Sequence, residues 1–222
     1  MCGRFNLITD AQALVDFFAL SDNLEVAPRY NIAPAQSILA VRQQDGRRTA
    51  AALHWGLIPR WSKDRKIGYK TINARAETVA EKPAFRSAFR RRRCLIPATG
   101  FFEWRTVASG KQPYNILRRD GNLMAFAGLW ESWTSPDGEQ IESCTIIVTE
   151  ANESVRPVHD RMPVILDPEA YPIWLNPDLQ DPAKLQPLLR PCPAELTVAV
   201  PVSRSVGNPA NDGPDCVRPL VQ

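Results

Sequence analysis

The sequence has no Cys-x-x-Cys pair, only two histidines, and no apolar run of the roughly 18–20 residues that cross a bilayer. Each absence excludes a class. The five cysteines, at positions 2, 94, 144, 192 and 216, are odd in number and unpaired in spacing. They fit neither a disulfide framework nor a cysteine-type zinc site. His54 and His159 alone cannot make a histidine-rich metal centre, so no metal and no cofactor is expected. The first residues lack the basic-then-apolar layout of a signal peptide. A cytoplasmic location follows, nucleoid-associated in a bacterium, with no membrane partner. Repeats, low-complexity linkers and composition breaks are also missing, so residues 2–222 read as one domain.

What is present suits a soluble globular chain with a true core: 222 residues, 44% hydrophobic and 23% charged, with a net charge of +3. Twenty prolines imply many short elements with rigid connections. Leu14, Phe17 and Phe18 repeat at helical spacing behind Thr9 or Asp10 as cap. Residues 28–34 are proline-bounded and read as an extended loop. Strands are expected at 38–41 and 51–55, joined near Gly46, and again at 94–96 and 101–104. Residues 59–70 read as a Trp-containing loop and 72–76 as extended. Thr78 with Glu81 forms a capping-box pattern ahead of a helix beginning at Pro83. Residues 114–118 and 124–129 flank Asp120-Gly121, a hairpin signal. The β-branched run 145–148 is the best single strand. Turns or helix are expected at 150–158, a strand at 163–166, helices at 168–175 and 182–189, a last strand at 196–200, and a loop-like tail from Gly207. Short strands interleaved with few helices give an α+β fold: a single domain with a mixed, partly barrel-like β-sheet flanked by short helices.

Cys2 is the residue with the most unusual chemistry. Once an initiator methionine is removed, it carries a thiol and a free α-amine on one residue. That amine has a reference pKa of about 7.7–8.0, so roughly a tenth of it is neutral at pH 7. The neutral amine condenses with an aldehyde, and the thiol then closes a thiazolidine ring in an intramolecular step. An ordinary buried terminal cysteine is the bland alternative. Glu103 sits in an aromatic strand, Phe101-Phe102-Glu103-Trp104, where alternation places it on the face of Phe101 and opposite Phe102 and Trp104. Aromatic walls raise a carboxyl pKa toward the range useful for proton transfer; a surface glutamate is the competing reading. His159 precedes a strand and lies beside Asp160 and Arg161, as a proton shuttle or as a structural histidine, with Asp160 read as fixing a loop or pointing elsewhere. Asn73 and Arg75 interrupt an apolar stretch. Arg86 and Arg90 to Arg93 form a basic run that is either a phosphate-binding face or a solvated helix surface. Dispersed arginines beside tryptophans suit single-stranded nucleic acid.

Several stretches occur in a familiar order: Met-Cys-Gly-Arg-Phe at the start, Tyr-Asn-Ile-Ala-Pro at 30–34, Trp-Gly-Leu-Ile-Pro at 55–59, Ile-Asn-Ala-Arg-Ala-Glu at 72–77, Gly-Phe-Phe-Glu-Trp at 100–104, Ile-Val-Thr at 147–149, His-Asp-Arg-Met-Pro at 159–163 and Pro-Val-Ser-Arg at 201–204. Together they resemble the SOS response-associated peptidase (SRAP) family of abasic-site processing proteins, over about residues 2–208. The resemblance implies binding of single-stranded DNA and a covalent thiazolidine crosslink between Cys2 and the aldehyde of an abasic site, with lyase-type and self-processing activities. It implies that Cys2 is the nucleophile, that Asn73 contacts the sugar, that Glu103 is the active-site carboxylate and that His159 assists ring opening. Arg75 and Arg161 would bind phosphates, Trp61 and Trp104 would offer ring faces, and Arg4 and Thr149 would join the DNA-binding set. The expected partner is single-stranded DNA containing abasic sites, met by a monomer. Two other readings stand beside it: an N-terminal-cysteine peptidase, and a non-catalytic single-strand binding module.

Overall fold

Twelve strands and four α-helices, linked by loops and 3-10 turns, make up the described residues of this computed structural model, 2–21 and 24–220. The expected removal of Met1 lies outside the described residues. In chain order the strands are β1 (Phe5–Leu7), β2 (Arg29–Ile32), β3 (Ser37–Gln44), β4 (Arg47–Trp55), β5 (Asn73–Arg75), β6 (Arg93–Ala98), β7 (Gly100–Val107), β8 (Gly110–Arg118), β9 (Met124–Thr134), β10 (Gln140–Glu150), β11 (Arg161–Pro163) and β12 (Thr197–Pro201). The helices are α1 (Ala11–Phe18), α2 (Arg86–Arg91), α3 (Tyr171–Leu175) and α4 (Pro182–Leu185).

Two sheets form. One has the order β12-β8-β7-β1-β2. The other runs β11-β10-β4-β3-β6-β9, and β9 returns to pair with β10, so that β10, β4, β3, β6 and β9 close into a barrel. Both β4 and β5 pair parallel with β10, and the remaining pairs are antiparallel. The mixed α+β reading with a barrel-like sheet therefore holds. Phe5 ties the sheets together, lying 5.3 Å from Trp55 and 6.0 Å from Phe126 between ring centroids. All three rings are buried.

Local chemistry explains most boundaries. Asp10 caps α1 by accepting from the Ala13 N–H at 2.8 Å. The chain turns from β3 to β4 at Asp45 and Gly46 with φ of 49° and 77°, the paired positive values of a tight hairpin. Residues 28–34 are extended as expected but pair as β2, because Pro28 and Pro34 lie just outside the strand and remove no ladder donor.

Two expectations fail. The Asp120-Gly121 turn does not close a hairpin. β8 pairs with β7 and β12, whereas β9 pairs with β6 and β10 in the other sheet. Gly121, at φ 73°, reverses the chain, but reversal alone does not decide which layer each apolar strand joins. The Thr78-Glu81 pattern does not begin a helix. It organises turns, with Glu81 and Lys82 N–H groups donating to the Thr78 carbonyl, and α2 starts later with no side-chain cap. Pro83 has no N–H to continue the earlier turn.

Candidate active site

The buried start of the chain meets β7. The Phe102 N–H donates to the Arg4 carbonyl at 2.9 Å, which extends the β1–β7 ladder toward Cys2. Cys2 is fully buried. Burial first, and then the Glu103 carboxylate, raise its thiol pKa far above the usual value, against a hydrogen bond from the Arg4 backbone, so the sulfur is held as a neutral thiol. Alternation along β7 is as expected. Phe101 packs in the main core, while Phe102 and Trp104 face a second apolar cluster with Val202, Val206 and Cys216. Glu103 is 3% exposed. Burial, with a contribution from Asp160, pushes its pKa up to about 7.

His159 reaches Glu103 from the connection just ahead of β11, Nε2 lying 3.8 Å from Oε2. Its Nδ1 lies 2.9 Å from both the Arg161 backbone nitrogen and Asp160 Oδ1. The first is a donor and suits a neutral ring with the proton on Nε2. The second is an acceptor and suits the charged ring. Nδ1 is thus poised between two partners that favour opposite protonation states. Burial pushes the His159 pKa below its ordinary value, against the pull of Asp160. The expectation that Asp160 points elsewhere is corrected here: its carboxylate touches the imidazole.

β10 carries the rest. Its Ile146 to Val148 pair with Asn73 to Arg75 of β5, and its Val148 to Glu150 pair with Pro163 to Arg161 of β11. Two loop-derived strands therefore flank one long strand and bring Asn73, Arg75 and Arg161 to one region. Asn73 Nδ2 donates to the Ile72 carbonyl at 3.1 Å, but its buried Oδ1 accepts from no described residue. A buried amide oxygen without a donor is costly and ready for a ligand N–H or O–H. Arg75 is exposed. Arg161 pairs with Glu77, a partner the sequence reading missed although it closes the same motif as Asn73 and Arg75. Thr149 lies within β10, 4% exposed.

Trp61 is 60% exposed and its indole N–H donates to the Pro83 carbonyl at 3.3 Å. With Asn73, Arg75, Thr78, Lys82 and Phe85 it lines an apolar concavity of about 380 Å³. Its loop is anchored at both ends. Trp133 donates to the Ser62 carbonyl at 2.8 Å. Gly56, at φ 137°, packs on the Gly68 backbone so closely that a Cβ would stand 2.6 Å from the Gly68 oxygen.

Arg4 and Trp104 make contacts of their own. The Arg4 guanidinium donates to Asn31 Oδ1 at 2.8 Å and to the Val206 carbonyl at 2.7 Å, clamping the C-terminal segment onto β2. Trp104 packs on the outer face of β7. Among the described residues no group of His, Cys, Asp and Glu converges as a metal site, and no helix is long and apolar enough to cross a membrane.

The order and spacing of these residues match a known profile. The SOS response associated peptidase (SRAP) family profile covers residues 1–209. The chain belongs to the SRAP family. Among SRAP relatives, the abasic site processing protein YoqW of Bacillus subtilis is 45% identical over 98% of this chain and 99% of its own length. The Escherichia coli abasic site processing protein YedK is 30% identical over 99% of this chain and 100% of its own. HMCES of Xenopus tropicalis, with the same description, is 34% identical over 90% of this chain and 68% of its own. A crystal structure of a Bacteroides thetaiotaomicron protein superposes with a TM-score of 0.88 at 28% identity, covering 99% of this chain and 100% of that one.

Proposed function

We propose that this SRAP protein processes abasic sites in single-stranded DNA by forming a thiazolidine with Cys2. The observation that carries the proposal is the meeting of Glu103 on β7 and His159 on the loop before β11, 3.8 Å apart, beside the buried Cys2. A carboxyl with a pKa near 7 and an imidazole can both give and take protons at neutral pH.

An abasic sugar is mostly a closed hemiacetal. His159 removes the proton of its anomeric hydroxyl while a proton is returned to the ring oxygen, which frees the aldehyde. The neutral Cys2 amine adds to the aldehyde carbon, and Glu103 delivers the proton that lets water leave as the imine forms. The nitrogen keeps one of its two hydrogens as an iminium, and the resulting Glu103 carboxylate takes the thiol proton as Sγ adds to the iminium carbon, which restores the carboxyl and leaves a neutral ring nitrogen. One water is lost overall. Asn73 Oδ1 accepts from the sugar hydroxyl or the amine. Arg75 and Arg161 hold the flanking phosphates, and Trp61 offers a ring face to a neighbouring base. Arg4 and Trp104 serve the scaffold.

Intact mass after incubation with an abasic oligonucleotide tests this reading. The expected product has the mass of the chain without Met1, plus the DNA, minus water. Retained binding without an adduct would instead mean a non-catalytic binding module. Peptide cleavage without an adduct would mean a peptidase.

A further inference from the structure

The basic run resolves into two groups with different work. Arg93 is buried, and its guanidinium donates to the carbonyls of Trp174, Phe89, Arg90 and Leu179 at 2.5, 2.8, 2.6 and 3.0 Å and to that of Asn176. Arg92 pairs with Glu131 at 2.7 Å, and Arg60 takes the other oxygen of that carboxylate at 3.0 Å. Arg86, Arg90 and Arg91 remain exposed on α2. Among the described residues none of these three makes an ion pair, and Arg91 has only the neutral Gln180 amide, at 3.1 Å. With Ser87 they line a surface concavity of about 360 Å³ that contains no carboxylate.

We propose that Arg86, Arg90 and Arg91 form a second phosphate track for the single strand that leaves the lesion site. This rests on the DNA reading given above. Three observations support it. Like charges at helical spacing repel and weaken a helix, yet no described carboxylate pairs with these three, and the one that pairs with Arg92, Glu131, is also held by Arg60. The α2 backbone is held rigidly by Arg92 and Arg93, so the exposed guanidiniums are presented on a fixed base. The track also follows the lesion site closely along the chain. Lys82 lines the Trp61–Arg75 concavity, and its carbonyl accepts the Arg86 N–H at 2.9 Å. Arg86 to Arg91 spans about 7.5 Å of helix rise, close to the two steps of about 3.4 Å that separate three successive phosphates of a stacked strand.

The test is the triple variant Arg86→Gln/Arg90→Gln/Arg91→Gln, which keeps helix propensity and leaves Arg92 and Arg93 in place. Binding is measured by fluorescence anisotropy on undamaged and abasic single strands, first of about five nucleotides and then extended on one side or the other to about fifteen. The wild type gains affinity when one particular side is extended, and the variant does not. Each single-strand phosphate contact contributes about 0.7 to the slope of log affinity against log salt. Loss of three contacts lowers the slope by about 2, so between 50 and 200 mM salt the wild type should lose about 20-fold more affinity than the variant. Crosslinking rate at saturating DNA is unchanged. An equal length-dependent gain in the variant, with an unchanged salt slope, overturns the proposal. Wild-type binding that gains through α2 but never yields an adduct upholds the track and overturns the crosslinking chemistry instead.

Discussion

Replacing Glu103 by Gln removes a titration that the fold opposes. Glu103 is 3% exposed, and burial moves its pKa from 4.5 to about 7. Below pH 4.5 the group is protonated in both the native and the unfolded chain, and it makes no pH-dependent difference. Between 4.5 and 7 the native chain keeps a proton that the unfolded chain has lost. Unfolding therefore becomes easier as pH rises through this window, and the penalty is complete above pH 7. At about 1.4 kcal/mol per pH unit, the gap amounts to about 3 kcal/mol at pH 8. Glu103→Gln has nothing to ionise, so it should be more stable than the wild type by about 3 kcal/mol at pH 8 and nearly equal to it at pH 4. For a chain of this size the gain is about 6–12 °C in melting temperature. The assay is denaturant unfolding of both proteins at several pH values, alongside crosslink time courses. Crosslinking should slow by about 10²–10⁴-fold in the same variant, because an amide cannot relay protons. A stability difference that does not grow between pH 4 and pH 8 would refute the assignment of a buried, proton-holding carboxyl at this position.

His159→Ala should slow both formation of the crosslink and its transfer to excess competitor DNA by about 10²–10⁴-fold, since the same proton steps run in reverse; wild-type rates would make the ring structural. Glu77→Gln should release Arg161 for phosphate, tightening single-strand binding and steepening the salt slope by about 0.7, and an unchanged slope in a salt titration would show that the pair persists with DNA bound. Arg93→Met should destabilise the fold by at least about 3 kcal/mol, because it strands several buried carbonyls, whereas Arg86→Gln should stay within about 0.5 kcal/mol; equal unfolding midpoints for the two would refute the division of the basic run.

How far the sequence reached depends on the range of the interaction concerned. Elements governed by neighbours were legible: the Asp10 cap, the turn at Asp45-Gly46, and the alternation that puts Glu103 and Phe101 on one face. Sheet membership was not. The Asp120-Gly121 turn looks like a hairpin locally, and only the closure of β9 onto β10 and of β8 onto β7 and β12 decides otherwise. Motif order singled out the candidate site residues but not their partners. Asp160 beside His159, and Glu77 beside Arg161, join residues through side-chain directions that spacing does not encode. The basic run was ambiguous for the same reason: five arginines read alike along the chain, and burial alone separates Arg93 from Arg86.

The position of Cys2 three residues before β1 has a mechanical consequence. β1 lies between β2 and β7 and is bonded on both edges. Ladder hydrogen bonds run across the strands, perpendicular to their length. A DNA strand linked at Cys2 and drawn taut along β1 would load those bonds together, in shear, and would not peel them one by one. The Arg4 clamp to Asn31 and Val206 adds a stop beside the point of attachment. The anchorage should therefore resist a motor advancing along the DNA, and detachment should be governed by reversal of the covalent bond before the tether's end unravels.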